Sequence, residues 1–124
     1  MDNLTETTKE ESLKSFRSTI RKSENALSSM TEKGANTTVV AKRLKALSIG
    51  LAVLEHVWEE KSHTYSPEEL AEARILLAGL LTSIEGVYAK SKLGSPQKTL
   101  LERRVKSFEL ALQAMDDSTD KDPS

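Results

Sequence analysis

The chain has 124 residues, 37% hydrophobic and 30% charged, with 18 basic and 19 acidic side chains and a net charge of −1. That is one domain's length, too apolar for a disordered chain and too charged for a membrane protein. The lack of cysteine excludes disulfides, thiolate metal sites and cysteine nucleophiles, and it fits a reducing compartment.

The stretch MDNLTETTKEES has neither the basic nor the apolar region of a signal peptide. The longest uncharged runs, Ile75–Ile84 and Ala46–Leu54, fall far short of the ~20 residues of a membrane span. The expectation is a cytoplasmic chain with no transmembrane segment.

Helix 1 is expected over about residues 8–33. Leu13, Phe16, Ile20, Leu27 and Met30 form a narrow stripe, interrupted by Ser23. Gly34 to Thr37 then read as a C-cap glycine, a short turn and an N-cap. Helix 2, about 38–61, is the strongest element. Val40, Leu44, Leu47, Leu51, Leu54 and Trp58 recur at steps of four and three, on one stripe. A second row, Ala46, Gly50, Val53 and Val57, widens that face enough to contact two neighbours. Gly50 costs about 1 kcal/mol of helix propensity relative to alanine, which a close helix approach there would offset.

Ser66-Pro67-Glu68-Glu69 supplies an N-cap, a proline at the first helical position and a glutamate able to complete a capping box. Helix 3 follows over 67–90. Gly94-Ser95-Pro96 repeats the punctuation before helix 4, about 96–115, with Leu101, Val105, Phe108, Leu112 and Met115 at the four-three spacing. Beyond the caps the two Ser-Pro segments do not match, which excludes a solenoid. The acidic stretch 116–124 reads as a disordered tail. The fold class is therefore all-α: an antiparallel up-down-up-down four-helix bundle, one domain over 1–115, with helices 2 and 3 as its hydrophobic centre.

No catalytic, cofactor or metal site emerges. His56, Glu59, Glu60 and His63 have metal-ligand residue types, but a di-iron bundle needs a second Glu-x-x-His pair, which is absent. His56 and Glu60 also fall opposite the leucine stripe. The glycines are isolated, so no phosphate loop exists, and two histidines leave little for a nucleophile–base pair. Arg104 lies inside the apolar stripe of helix 4. Its stem can pack while the guanidinium reaches solvent, or it can pair with Glu85 across the helix 3–helix 4 interface.

Two surfaces point to binding. In an up-down-up-down bundle the helix 1–2 and helix 3–4 turns share one end. Residues 30–48 and 86–106 carry ten bases against two acids, and the opposite end carries fifteen acids against four bases. Lys33, Lys42, Arg43, Lys45, Lys92, Lys98 and Arg103 are the expected anionic-partner surface. An acidic protein is the first choice of partner and nucleic acid the second, because no aromatic or glycine-rich reading element accompanies the bases. The second surface is the uncharged patch of Ile49, Ala52, Ala71, Ile75, Ala78 and Gly79, suited to a partner helix or a homodimer.

The functional expectation is a small cytoplasmic binding or regulatory protein, acting by a surface rather than a reaction. The alternatives are a nucleic-acid-binding accessory protein, an immunity- or antitoxin-type protein by analogy of size and shape, and an enzyme with a carboxylate site.

Overall fold

The helices start and stop where the caps direct. The computed structural model describes residues 5–120, in which α1 (Glu6–Glu32), α2 (Thr38–Glu59), α3 (Pro67–Lys90) and α4 (Pro96–Asp120) pack as an all-α four-helix bundle. Thr5 Oγ1 accepts the Thr8 N–H at 3.0 Å, so α1 begins slightly before the expected position. After α1, Gly34 adopts φ +73°. Its N–H bonds to Thr31 O and that of Ala35 to Met30 O, satisfying two orphan carbonyls. The capping box of α3 forms in full: Ser66 Oγ takes the Glu69 N–H and Glu69 Oε1 takes the Ser66 N–H. Ser95 Oγ caps α4 by accepting from Lys98 N–H at 3.1 Å.

Two boundaries differ from the expectation. α2 ends at Glu59 because Glu60 turns left-handed, at φ 58°, and Lys61 N–H then closes on Glu55 O. No glycine announces that stop. α4 continues to Asp120, so the first five residues of the expected tail are helical; residues 121–124 lie outside the described residues.

The contacts fix direction as well as adjacency. Within each helical hairpin, α1/α2 and α3/α4, the helices are antiparallel: Arg17 reaches Glu55 and Arg74 reaches Asp116. Between the hairpins the sense is parallel. Glu11 meets Arg103 and Phe16 meets Phe108, five residues further along both α1 and α4. Lys45 meets Glu69, and Gly50 sits against Leu77 further along both α2 and α3.

The order is therefore up, down, down, up, and the two hairpin turns point to opposite ends. Strict alternation, which would put them together, assumes a tight turn after α2. Residues 60–66 instead form a seven-residue connection without helix or strand. Its eight steps from Glu59 to Pro67 can span about 26–29 Å. The 22 residues of α2 rise about 33 Å, so the connection can carry the chain most of the way back along α2.

The core is built on α2 and α4, which also touch each other across the bundle. α2 buries Ala46, Leu47, Ile49, Gly50, Val53 and Leu54. α4 buries Leu101, Ser107, Phe108, Leu110, Ala111, Ala114 and Met115, whereas α3 buries only Ala73 and Leu77. This corrects the expectation that helices 2 and 3 form the centre: Leu70, Leu76, Leu80, Leu81 and Ile84 of α3 are only half-buried against the core. The buried face of α2 is also turned toward its second row, which brings Ile49 inside, although Val57 at the C-terminal end of that row is 41% exposed.

Phe16 and Phe108 stack at 5.1 Å between centroids with 20° between planes. A Cβ at Gly50 would lie 3.0 Å from both Phe16 Cε1 and Leu77 Cδ1. The glycine is where α1 and α3 side chains converge on α2, the close approach that its helix-propensity cost implied.

Arg74 pins α4 to α3 by a two-point contact with Asp116, its Nη2 lying 3.0 Å from Oδ2. The Arg74 hydrogen bond holds the Asp116 carboxyl below its usual range. A depressed carboxyl contributes stability that is complete above its unfolded value near ~3.9 and is lost as pH falls through the folded value. Both side chains are about half exposed, so solvent screening keeps the contribution under ~1 kcal/mol. Asp116→Asn should lower the urea midpoint slightly at pH 7, and the gap should close in acid. A gap of unchanged size well below the Asp116 titration would show that the carboxylate is not what holds α4 there.

Candidate functional site

The seven bases expected at one end are divided between two. Lys33, Lys42, Arg43 and Lys45 belong to the α1/α2 turn end, and Lys92, Lys98 and Arg103 to the α3/α4 turn end. Each group faces acids of the other hairpin. Lys45 Nζ lies 3.0 Å from Glu69 Oε2, and Arg103 Nε lies 3.3 Å from Glu11 Oε2. Lys98 lies 4.5 Å over the Tyr88 ring, its Nζ donating to Ser91 O at 3.4 Å. Lys33, Lys42, Arg43 and Lys92 are exposed.

Packing order thus converts the charge segregation into attraction between hairpins. The basic turn end of each lies along the acidic open end of the other, whereas strict alternation would set two basic tips side by side. The Glu69 carboxyl is lowered first by the Ser66 N–H and then by Lys45, so a capping residue also anchors the second hairpin to the first. A charge layout that stabilises the fold needs no external anion to explain it.

The uncharged patch fares differently. Ile49 is only 1% exposed and belongs to the core, because α2 is rotated toward its second row. Ala52 and Ala78 are half-buried, while Ala71, Ile75 and Gly79 are exposed. Beside Ile75 lies a groove of about 410 Å³ between the first halves of α2 and α3, with Ala46, Ile49, Ala73 and Leu76 in its lining. Lys42, Lys45, Glu69 and Glu72 complete that lining. Ile75 is 70% exposed. The groove exists because α2 and α3 run in the same sense and meet through alanines. Sequence patterning located the apolar residues but not the charged ones that flank them, since pairing residues 42–49 with 69–76 requires the crossover.

Around the α2 C-terminus, His56 Nδ1–H is placed to donate to Lys61 O at 3.0 Å. The His56 and His63 rings meet edge-on at 5.2 Å, and His63 lies 5.8 Å from Tyr65. Among the described residues no group of three His, Asp or Glu side chains converges on one point. The contacts make this a lock on the start of the crossover. Arg104 does not pair with Glu85; its Nε is buried without a hydrogen-bond partner, as are Trp58 Nε1 and His63 Nδ1.

Compared with known protein families, curated proteins and solved structures, the chain matches none. No described helix is long and apolar enough to cross a membrane. The fold and the groove define the class: an all-α four-helix protein with an apolar-floored groove between two parallel helices.

Proposed function

We propose that the chain is a small cytoplasmic binding or regulatory protein that takes the apolar face of a partner's helix along the α2–α3 groove. The observation that carries this reading is Ile75, 70% exposed beside a groove with an alanine and isoleucine lining. A β-branched aliphatic left in water at a concave apolar site forgoes about 1.5–3 kcal/mol that burial would return. A helix laid into such a groove buries it through anchors at helical spacing, without any chemistry. The four charged residues of the lining, two basic and two acidic, suit a partner helix with mixed charge on its flanks.

Of the two surfaces the sequence indicated, the groove now leads. An acidic partner is left with the exposed bases Lys33, Lys42 and Arg43 near one turn. Nucleic acid falls behind further, because the bases no longer form one face.

The test is affinity capture from the native cytoplasm with the wild-type chain and with Ile75→Asp, at low and high salt. A partner held by the groove should be retained by wild type at high salt and lost, by about tenfold or more, with Ile75→Asp. Light scattering on the purified chain separates a second copy from a different partner. If Ile75→Asp captures the same proteins as wild type, the groove is not the binding surface.

A further inference from the structure

The tip of the α3/α4 hairpin combines exposed aliphatic side chains with bases that make no ion pair among the described residues. Leu93, in the turn, is 86% exposed; Leu100, in the first turns of α4, is 55% exposed, and Val87, in the last turn of α3, is 48% exposed. No residue from 78 to 100 is fully buried, and Ile84 is the last hydrophobic residue of α3 packed against the core, so the tip beyond it stands clear. From Gly86 to Leu101 the sequence holds Lys90, Lys92 and Lys98 and no acid. The nearest flanking acids are engaged or outside the segment. Glu11 pairs with Arg103, Glu6 lies 3.7 Å from Lys9, and Glu85 and Glu102 precede and follow it. Tyr88 sits half-buried beneath Lys98, an aromatic with a polar tip at the boundary between the bare and packed parts of the hairpin.

We propose that this tip docks on an anionic lipid surface, inserting Leu93 with Leu100 and Val87 behind it while Lys90 and Lys92 meet the headgroups. Shape decides the occupant. Leu93 is on an exposed hairpin turn, with Val87 and Leu100 on the helices beside it, and none of them lines the α2–α3 groove, so a rigid protein partner would need a matching socket, whereas the acyl boundary of a bilayer deforms around them. Basic residues flanking aliphatic ones, with a tyrosine at headgroup depth, are the composition that interfacial binding favours. Each lysine near an anionic surface adds attraction that falls off within a Debye length. Three lysines and three aliphatic side chains make weak, reversible binding, tuned by the lipid's charge.

The experiment uses the whole chain with phosphatidylcholine vesicles that either lack or contain about one-third phosphatidylserine. Sedimentation should show association with the anionic vesicles only, weakened about tenfold by Leu93→Asp and again by Lys90→Glu with Lys92→Glu. Ile75→Asp should bind like wild type, because the groove and the tip are separate surfaces. A Leu93→Trp variant reports depth: brominated lipid should quench it beyond the baseline set by the single native Trp58, while Ala26→Trp on the other hairpin should stay at baseline. Absence of association at low salt overturns the proposal. So does association that Leu93→Asp leaves unchanged, or a tryptophan at position 93 that remains in water.

Discussion

Leu77→Asp should leave the chain without a cooperative unfolding transition. Leu77 is 0% exposed and its Cδ1 lies against Gly50, where α1, α2 and α3 meet. Removing the leucine contacts costs about 2–5 kcal/mol. The carboxylate left in their place has no partner and adds several kcal/mol more, or forces its own protonation. A domain of this size has only about 5–15 kcal/mol in total, so the sum reaches or exceeds the margin. Leu77→Ala, which creates a cavity without a charge, should keep a transition at lower urea concentration. Leu51→Asp should be milder, because Leu51 is only half-buried and its carboxylate can turn toward water. Circular dichroism during urea titration of the three variants checks the order. A cooperative transition of Leu77→Asp near the wild-type midpoint would show that the three helices do not close on Gly50.

The parts of this fold legible in the sequence are those written locally. Ser66 with Pro67 and Glu69, and Ser95 with Pro96, mark helix starts because the capping partners lie within four residues. Gly34 marks a stop because only a residue tolerant of positive φ ends a helix that way at low cost. The end of α2 was illegible for the converse reason: Glu60 adopts the left-handed conformation without being glycine.

Periodicity located the apolar residues of α2 but misplaced the centre of the buried face. The Val40–Trp58 stripe is the longest in the chain, yet Val40, Leu44, Leu51 and Trp58 are half-buried. No residue from Arg17 to Lys45 is fully buried, so the front of that stripe packs at the margin of the bundle. The shorter second row holds Gly50, on which Phe16 of α1 and Leu77 of α3 converge. A single helix cannot tell which of its faces will have more neighbours.

Helix order was the least local quantity, and the candidate site inherited that. Four helices with short connections suggest alternation, and alternation gathers the bases at one end. The charge pattern itself contained the correction. Basic turns and acidic open ends in both hairpins attract when the turns point apart and repel when they point together. Lys45–Glu69 and Arg103–Glu11 are the contacts through which that attraction acts. As exposed pairs they are individually worth little, but they discriminate between two packings with similar cores. The apolar patch survives only in part: Ile49 and Ile75 line the groove, but the groove itself depends on residues 42–49 lying beside 69–76, which the parallel order of α2 and α3 supplies and alternation would not.

The second large effect is expected at the aromatic stack. Phe16 and Phe108, 0% and 1% exposed, come from different hairpins and face each other at 5.1 Å. Each substitution to alanine should cost about 3–5 kcal/mol. Stacked aromatic pairs carry about 0.5–1.5 kcal/mol beyond their area, and the two truncations open one shared cavity. Phe16→Ala with Phe108→Ala should therefore cost less than the sum of the single variants, by about 1 kcal/mol or more. Phe16 should have the wider consequence. It is the largest of the three residues that α1 buries, beside Ser12 and Leu13, so without it the first half of α1 loses its hold on α4. Hydrogen exchange should then quicken along α1 of Phe16→Ala while α3 and α4 stay protected, and urea titration of the four members of the cycle supplies the coupling. Strict additivity, or exchange that quickens equally in all four helices, would mean that the stack does not join the hairpins.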